Sequence, residues 1–210
     1  MTQTTDHLQA KAYHHGDLHN SLIIKGMEML KDRDIADISL RQIAREIGVG
    51  HNAPYRHFKN KQDLLEAIAT LGFRQLKAYN LRLELEYAND PEAQLFESTM
   101  HLINLASDEP NLFKLMFGGS VSLFDCGEEL KTESQASMQS FIKILSLGQK
   151  QEVFNQDNLI CQTLATMSLI YGFAMMTSSG MLQEIPKTPD QLRGFSFQVF
   201  DILLTGLKKP

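Results

Sequence analysis

Apolar residues recur at spacings of three and four along almost the whole chain, and no stretch of useful length alternates apolar with polar. That periodicity belongs to helices with one buried face and excludes a sheet-based fold. The chain therefore reads as all-α. Leu18, Leu22, Ile23, Met27 and Leu30 mark one face of a first helix, which stops in the charged segment from Lys31 to Asp37. Ser39 can cap a second helix, with Gln42 three residues on completing a capping box and Ile38 stapled onto Ile43. Leu40, Ile43, Ala44 and Ile47 form its buried stripe, and Gly48 follows where a left-handed residue commonly ends a helix. Pro54 is tolerated only in a first turn, so a third short helix is expected to begin at Gly50 or His51.

Asn60, with Asp63 three residues later, opens a long helix that runs through Leu64, Ile68, Leu76 and Leu83 toward Tyr87, where Asn89-Asp90-Pro91 ends it. Further helices are expected from Pro91 to Ala106, Pro110 to Phe117, Gly127 to Gln149, Asn158 to Leu182 and Pro189 to Gly206, with Gly118-Gly119 as a break. At 210 residues and 43% hydrophobic content, such a chain hides roughly 70% of its unfolded surface and needs no metal or disulfide to hold a core. Cys126 and Cys161, with no CxxC spacing, fit a reducing cytosol. The polar first ten residues carry no signal-peptide pattern, so a cytoplasmic protein is expected. Asn158 to Gln183 is uncharged and long enough for a bilayer, but Gln162, Thr163, Thr166, Ser168 and Thr177 favour a helix buried among helices, and no membrane partner is expected.

Charge divides the chain. Residues 1–77 hold 11 Lys or Arg against 9 Asp or Glu, whereas residues 78–210 hold 9 against 16. Between Ile38 and Gln62, Arg41, Arg45, Arg56, Lys59 and Lys61 face only Glu46. A local basic patch on an otherwise acidic molecule confines a polyanion to one face. Two short helices joined by a glycine-containing turn, the second flanked by cations, make a helix-turn-helix. On it, His51, Asn52 and Ala53 are candidates for base edges. Tyr55, Lys59 and Lys61 suit phosphates, Arg41 and Arg56 suit either role, and the helix starts at Ser39 and Gly50 offer amide donors.

At these residues the chain resembles a known family. The segment SLRQIAREIGVGHNAPYRHFKNKQDLL, and above all Tyr55-x-His57-Phe58 and Lys59-x-Lys61, is similar to the DNA-binding domain of the TetR family of bacterial transcriptional regulators. Tyr13-His14-His15-Gly16-Asp17-Leu18 resembles the lead into the first helix in one branch of that family. Glu109-Pro110-Asn111-Leu112-Phe113-Lys114-Leu115-Met116-Phe117-Gly118 resembles a ligand domain of the family that bears a later Trp-His-Gly signature; here Met167, Tyr171 and Gly172 stand in its place. The resemblance implies a flexible arm over residues 1–12, a three-helix DNA-binding domain over 13–60, a linking helix over 60–87, and a ligand-binding and dimerisation domain over 61–210. It also implies a homodimer paired through the last two helices. Its two recognition helices would enter successive major grooves of a near-palindromic operator, with half-sites about 34 to 36 Å apart or a multiple. A small molecule bound among the C-terminal helices would release the DNA, which makes the protein a repressor by resemblance, nucleoid-associated when bound.

Phe113, Phe117, Met138, Phe141, Tyr171 and Met175 are candidates for lining that ligand pocket, although helical spacing equally suits core packing. Leu164, Ser168, Phe195, Val199 and Leu203 are candidates for the dimer interface, because the last two helices are apolar on more than one face and must be covered. His15 and His19 stand at i and i+4 with no third ligand, so neither a metal nor a cofactor is expected. No HExxH, GxSxG, phosphate-loop or dinucleotide-binding motif occurs, which argues against an enzyme. The competing reading is a ligand-binding or protein-interaction helical module that does not bind an operator.

Overall fold

A computed structural model describes residues 17–182 and 188–208, which form eight α-helices joined by turns. Helix α1 spans Leu18–Met29, α2 Leu40–Glu46, α3 Lys61–Glu86, α4 Pro91–Asp108, α5 Pro110–Phe117, α6 Glu128–Lys150, α7 Leu159–Ser178 and α8 Pro189–Leu207. The arm over residues 1–12 and the lead through His15 lie outside the described residues. Each start has a local cause. Asp17, Ser39, Asn60, Asp90, Asn158 and Thr188 each accept a bond from a backbone N–H of the following first turn, which satisfies donors that a helix start leaves open. Pro91 and Pro110 occupy the first turns of α4 and α5, where a missing N–H costs nothing.

Two clusters of buried side chains hold the helices together. The first joins Leu22 and Leu30 of the α1 segment, Ile43 of α2 and Leu64, Ile68 and Phe73 of α3, and it extends to Leu112, Leu115 and Met116 of α5 and Leu130 of α6. The second joins Leu95 and Leu102 of α4, Phe113 of α5, Ile144 and Leu145 of α6, Ile170 and Ala174 of α7, and Phe200 and Leu203 of α8. Helix α5 thus contributes to both cores, and Leu76 on α3 packs against both. Gly26 permits the close crossing of α1 and α3, since a Cβ there would lie 2.6 Å from Ile68 Cδ1.

Between α3 and α6, Arg74 bonds Glu133 at 3.0 Å and also reaches Glu129, while Lys77 bonds Glu133 from the next turn. These carboxylates hold the Arg74 guanidinium pKa up, and the two cations hold the Glu133 carboxyl below the usual carboxylate range. Helix α7 is long and apolar enough to cross a membrane, yet its packed face carries Gln162, Thr163, Thr166 and Ser178 alongside Met167, Ile170 and Ala174. That mixture matches a helix packed against other helices.

Candidate nucleic-acid interface and internal cavity

The N-terminal site begins with the way α2 ends. Gly48 has φ +74°, and the amides of Gly48 and Val49 donate to the carbonyls of Arg45 at 3.2 Å and Ala44 at 2.9 Å. This is the paired closure that a left-handed residue makes possible, and it fixes the exit direction of the chain. At the start of α2, Ser39 Oγ accepts from the Gln42 amide at 3.3 Å. The capping box expected from the sequence is only half made. The Gln42 side chain lies between the Asp37 carbonyl and the Arg33 guanidinium, in place of a return bond to Ser39.

The third helix of the motif is shorter than expected and of a different type. His51 and Asn52 lie in a turn, and the helical piece is a 3-10 turn over Pro54–Arg56. Pro54 explains it. An α-helix begun at Gly50 would bond the Gly50 carbonyl to the amide of residue 54, which proline lacks. The Ala53 amide takes that carbonyl instead at 2.8 Å, one residue earlier, and the tighter winding continues through His57 to Pro54 at 2.9 Å. Buried Pro54 and Phe58 hold this turn on the core. Asn60 then caps α3 by accepting from the Asp63 amide at 2.9 Å, while Asp63 accepts from the Lys59 amide at 3.0 Å.

What the motif leaves outside is cationic and polar. Arg41 and Arg45 stand one turn apart on α2, opposite Leu40, Ile43, Ala44 and Ile47. Arg56, Lys59, His51 and Asn52 are exposed, Ala53 is half-buried, and Tyr55 is 45% exposed. Among the described residues, Arg41, Arg45, Arg56 and Lys59 pair with no carboxylate, whereas Arg33 is matched to Glu46 at 3.4 Å. Lys61 is placed differently: it is half-buried, and its ammonium donates to the Ala36 carbonyl at 2.7 Å, tying the start of α3 to the 3-10 turn Ile35–Asp37. His19 stacks on Phe58 with centroids 4.9 Å apart, and His15 lies outside the described residues. Among those described, no group of three metal-ligating side chains occurs.

A second site lies inside the helical bundle. Leu76 and Asn80 of α3, Ser98, Thr99 and Leu102 of α4, Ser137 and Phe141 of α6, and Met167, Ile170 and Tyr171 of α7 surround a cavity of about 30 Å³. That is room for one or two waters. Its polar wall is a linked set: Ser98 Oγ donates to Asn80 Oδ1 at 2.9 Å, Asn80 Nδ2 donates to Ser140 Oγ at 3.0 Å, and Ser140 Oγ donates to the Ser137 carbonyl at 2.6 Å. Thr99 Oγ1, in a side chain 3% exposed, has no hydrogen-bond partner. Burial pushes the Tyr171 phenol well above its ordinary pKa, with no charged neighbour contributing.

Of the six pocket candidates, Phe141 and Tyr171 line this cavity. Phe113 is fully buried in the core beside it, Phe117 packs its ring at a tilt against Tyr171 with centroids 4.9 Å apart, and Met138 is exposed at 38%. Met175 is half-buried against the second core. Met167 and Tyr171, which replace two members of the Trp-His-Gly signature, both face the cavity, whereas Gly172 lies on the exposed side of α7. The sequence did hold a signal for the polar wall: Asn80 interrupts the apolar stripe Leu76, Asn80, Leu83 at helical spacing, where a polar residue needs a buried partner.

Of the interface candidates, Leu164 is 59% exposed, Phe195 38% exposed, Ser168 exposed and Val199 half-buried, but Leu203 is buried at 7% within the core of the chain itself. Ile160, Leu164, Ser168, Gly172 and Met176 make one exposed row at intervals of four along α7, and Phe195 and Ile202 are exposed along α8.

Residues 22–68 match the model of the bacterial regulatory proteins of the tetR family. Over 90 residues, 43% of this chain, the sequence is 28% identical to the HTH-type transcriptional regulator AcrR of Shigella flexneri. The match covers 42% of that protein, so this chain spans less than half of the curated relative it matches. Among solved structures, a protein of unknown function from Rhodococcus sp. RHA1 is similar with a TM-score of 0.79 and 26% identity, covering 95% of this chain and 100% of that one. The regulator FadR from Bacillus subtilis, solved with stearoyl-CoA, shares the fold with a TM-score of 0.61 and 18% identity over 90% of this chain and 98% of its own.

Proposed function

We propose that this chain, whose N-terminal helices belong to the tetR family of bacterial regulatory proteins, is a cytoplasmic, homodimeric transcriptional regulator that binds a palindromic DNA operator and is released from it by a small molecule. The observation that carries the DNA reading is the set of unpaired cations on a rigid helix-turn-helix. Arg41, Arg45, Arg56 and Lys59 are exposed and matched by no carboxylate among the described residues, beside the exposed Tyr55 ring. Unmatched cations held on a packed scaffold gain by neutralising phosphates and releasing counterions. Asn52 and His51, in the turn that leads into Pro54–Arg56, are the side chains for base edges.

Homodimerisation is supported by the row Ile160, Leu164, Ser168, Gly172, Met176, an apolar and small-residue ridge of the kind that interlocks with a second helix. Ligand release, and with it a repressor's role, is supported by the link between the cavity and the DNA-binding helices. Tyr171 on the cavity wall packs against the Phe117 ring at one end of α5, and at the other end Asn111 Nδ2 donates to the carbonyls of Leu30 at 3.1 Å and Arg33 at 2.9 Å, just past α1. The solved relative with bound stearoyl-CoA shows the same fold holding a small molecule.

The test is duplex binding by wild type, Tyr55→Ala and Arg56→Ala across a salt series. Wild-type affinity falls linearly in log salt, and loss of one phosphate contact lowers the slope by about 0.9. Each variant is expected to bind more weakly by about 1 to 3 kcal/mol with an unchanged fold. Salt-independent binding, or full affinity in both variants, would remove the helix-turn-helix from the interface.

A further inference from the structure

We infer that His19 and His57 form one proton-linked phosphate site at the edge of the helix-turn-helix, so that DNA affinity rises as pH falls through neutrality. The inference rests on the DNA-binding reading above and adds a regulation to it. The two rings come from different elements: His19 stands in the first turn of α1, and His57 closes the 3-10 turn Pro54–Arg56. Their centroids lie 6.0 Å apart with the planes tilted by 59°, and both residues are exposed.

Packing brings the pair together. Phe58, 3% exposed and part of the first core, carries the His19 ring on its face, with centroids 4.9 Å apart and planes 22° from parallel. His57 is held through its amide, which donates to the Pro54 carbonyl at 2.9 Å. The His19 Nδ1 lies 3.4 Å from Asn20 Oδ1, so a proton on Nδ1 serves that contact and Nε2 is left for another partner.

Neither ring has a countercharge among the described residues. On α1, Asp17 is spent as the helix cap, accepting from the Asn20 amide at 3.2 Å and the Asn20 side chain at 2.6 Å. On α2, Glu46 is matched to Arg33 at 3.4 Å. At the start of α3, Asp63 accepts from the Lys59 amide at 3.0 Å, and the Lys61 ammonium donates to the Ala36 carbonyl. The charges nearest His57 along the chain are the unmatched cations Arg56 and Lys59. An anion that meets those cations therefore meets the imidazoles as well.

Imidazole is the side chain whose charge changes between pH 5 and 8. A neutral ring offers one donor and one lone pair, whereas a protonated ring offers two donors. A phosphate seated against the pair favours the protonated rings. Binding then takes up protons, and by linkage lower pH tightens it. Since no carboxylate of the chain already holds either ring, that gain belongs to the bound phosphate.

The test is binding of the full chain to a random-sequence duplex of about 30 base pairs at pH 8 and pH 6, because phosphate contacts require no particular sequence. EDTA is present throughout, so that no metal bridges the two imidazoles. Wild type is expected to bind about tenfold more tightly at pH 6, the factor that one unit of pKa change on binding supplies. Its affinity should also fall more steeply with salt at pH 6, by about 0.9 in log-log slope for each ring that gains charge at a phosphate. His19→Phe keeps the ring stack and cannot titrate, and His57→Gln keeps a donor without a charge. The double variant should lose most of the tightening at pH 6, while His51→Gln should retain it. A double variant weakened equally at both pH values, or one with the wild-type pH response, would overturn the inference. Wild-type affinity that is the same at pH 8 and pH 6 would also overturn it and leave the regulator reading standing. Absence of duplex binding at either pH would remove that reading too.

Discussion

At the scale of single residues, the side chains that decide behaviour are those whose surroundings leave something unmatched. On the helix-turn-helix surface these are the unmatched cations and Tyr55, and inside the bundle the buried Thr99 hydroxyl. His101 is a third case. It stacks flat on Tyr79 with centroids 3.8 Å apart, and the Arg82 guanidinium lies 4.7 Å over the other ring. Burial, with Arg82 pushing the same way, holds the His101 imidazole below its ordinary pKa of 6.5. As pH falls below about 6.5 the unfolded chain takes up a proton at this position before the folded chain does, so stability falls with it. A denaturation midpoint followed from pH 7.5 to 5.5 should decline, and the decline should be smaller in His101→Phe, which keeps the stack and cannot titrate. An unchanged slope in that variant would show that His101 is not the group responsible. Glu133 does not confuse the result, because the cations of Lys77 and Arg74 hold its carboxyl below the usual range and its contribution is lost only at more acid pH.

At the scale of elements, the sequence foretold most of the helices, because their ends are set locally. Pro91 and Pro110 start α4 and α5 where expected, and Asn60 with Asp63 opens α3. Gly48 ends α2 with the positive φ that glycine permits. The 3-10 turn at Pro54–Arg56 departs from the expected helix for a physical reason: proline is compatible with a first turn, but the bond it removes also decides between an α and a 3-10 winding. Capping by Gln42 failed to close because Arg33, distant in the pattern but near in space, competes for its side chain. Long-range partnerships of this kind leave no periodic trace. The bonds from Asn111 to Leu30 and Arg33 span 81 and 78 residues, and the Asn80 to Ser140 bond spans 60. Asn111→Ala should cost about 1 to 3 kcal/mol, since it strips two carbonyls of a donor at a partly buried site. Denaturant unfolding measures that loss.

At the scale of the whole molecule, the distribution of apolar surface divides the candidate sites more sharply than the sequence could. Helical spacing places Leu164 and Leu203 equally on faces that need cover, yet Leu203 is covered by its own chain and Leu164 is not. In the same way Phe113 and Met138 are equivalent by composition, and only packing puts one in the core and the other at the surface. Leu164→Asp and Phe195→Arg change side chains that the single chain leaves exposed, so the fold should survive while the dimer dissociates. Sedimentation or scattering should then report half the wild-type mass, and wild-type mass in both variants would reject the α7 and α8 face as the interface. Losing the dimer should also cost nearly all operator affinity, because two half-sites are held only by two linked recognition elements. The most direct test of the account is selection of bound sequences from a random duplex library by the purified protein at about 0.15 M salt, where non-specific affinity is only roughly 10⁻⁴ to 10⁻⁶ M. The account predicts a near-palindrome whose half-sites lie about one helical turn apart, or a multiple. Failure to enrich any sequence at any salt, or enrichment of a single unpaired half-site, would contradict it.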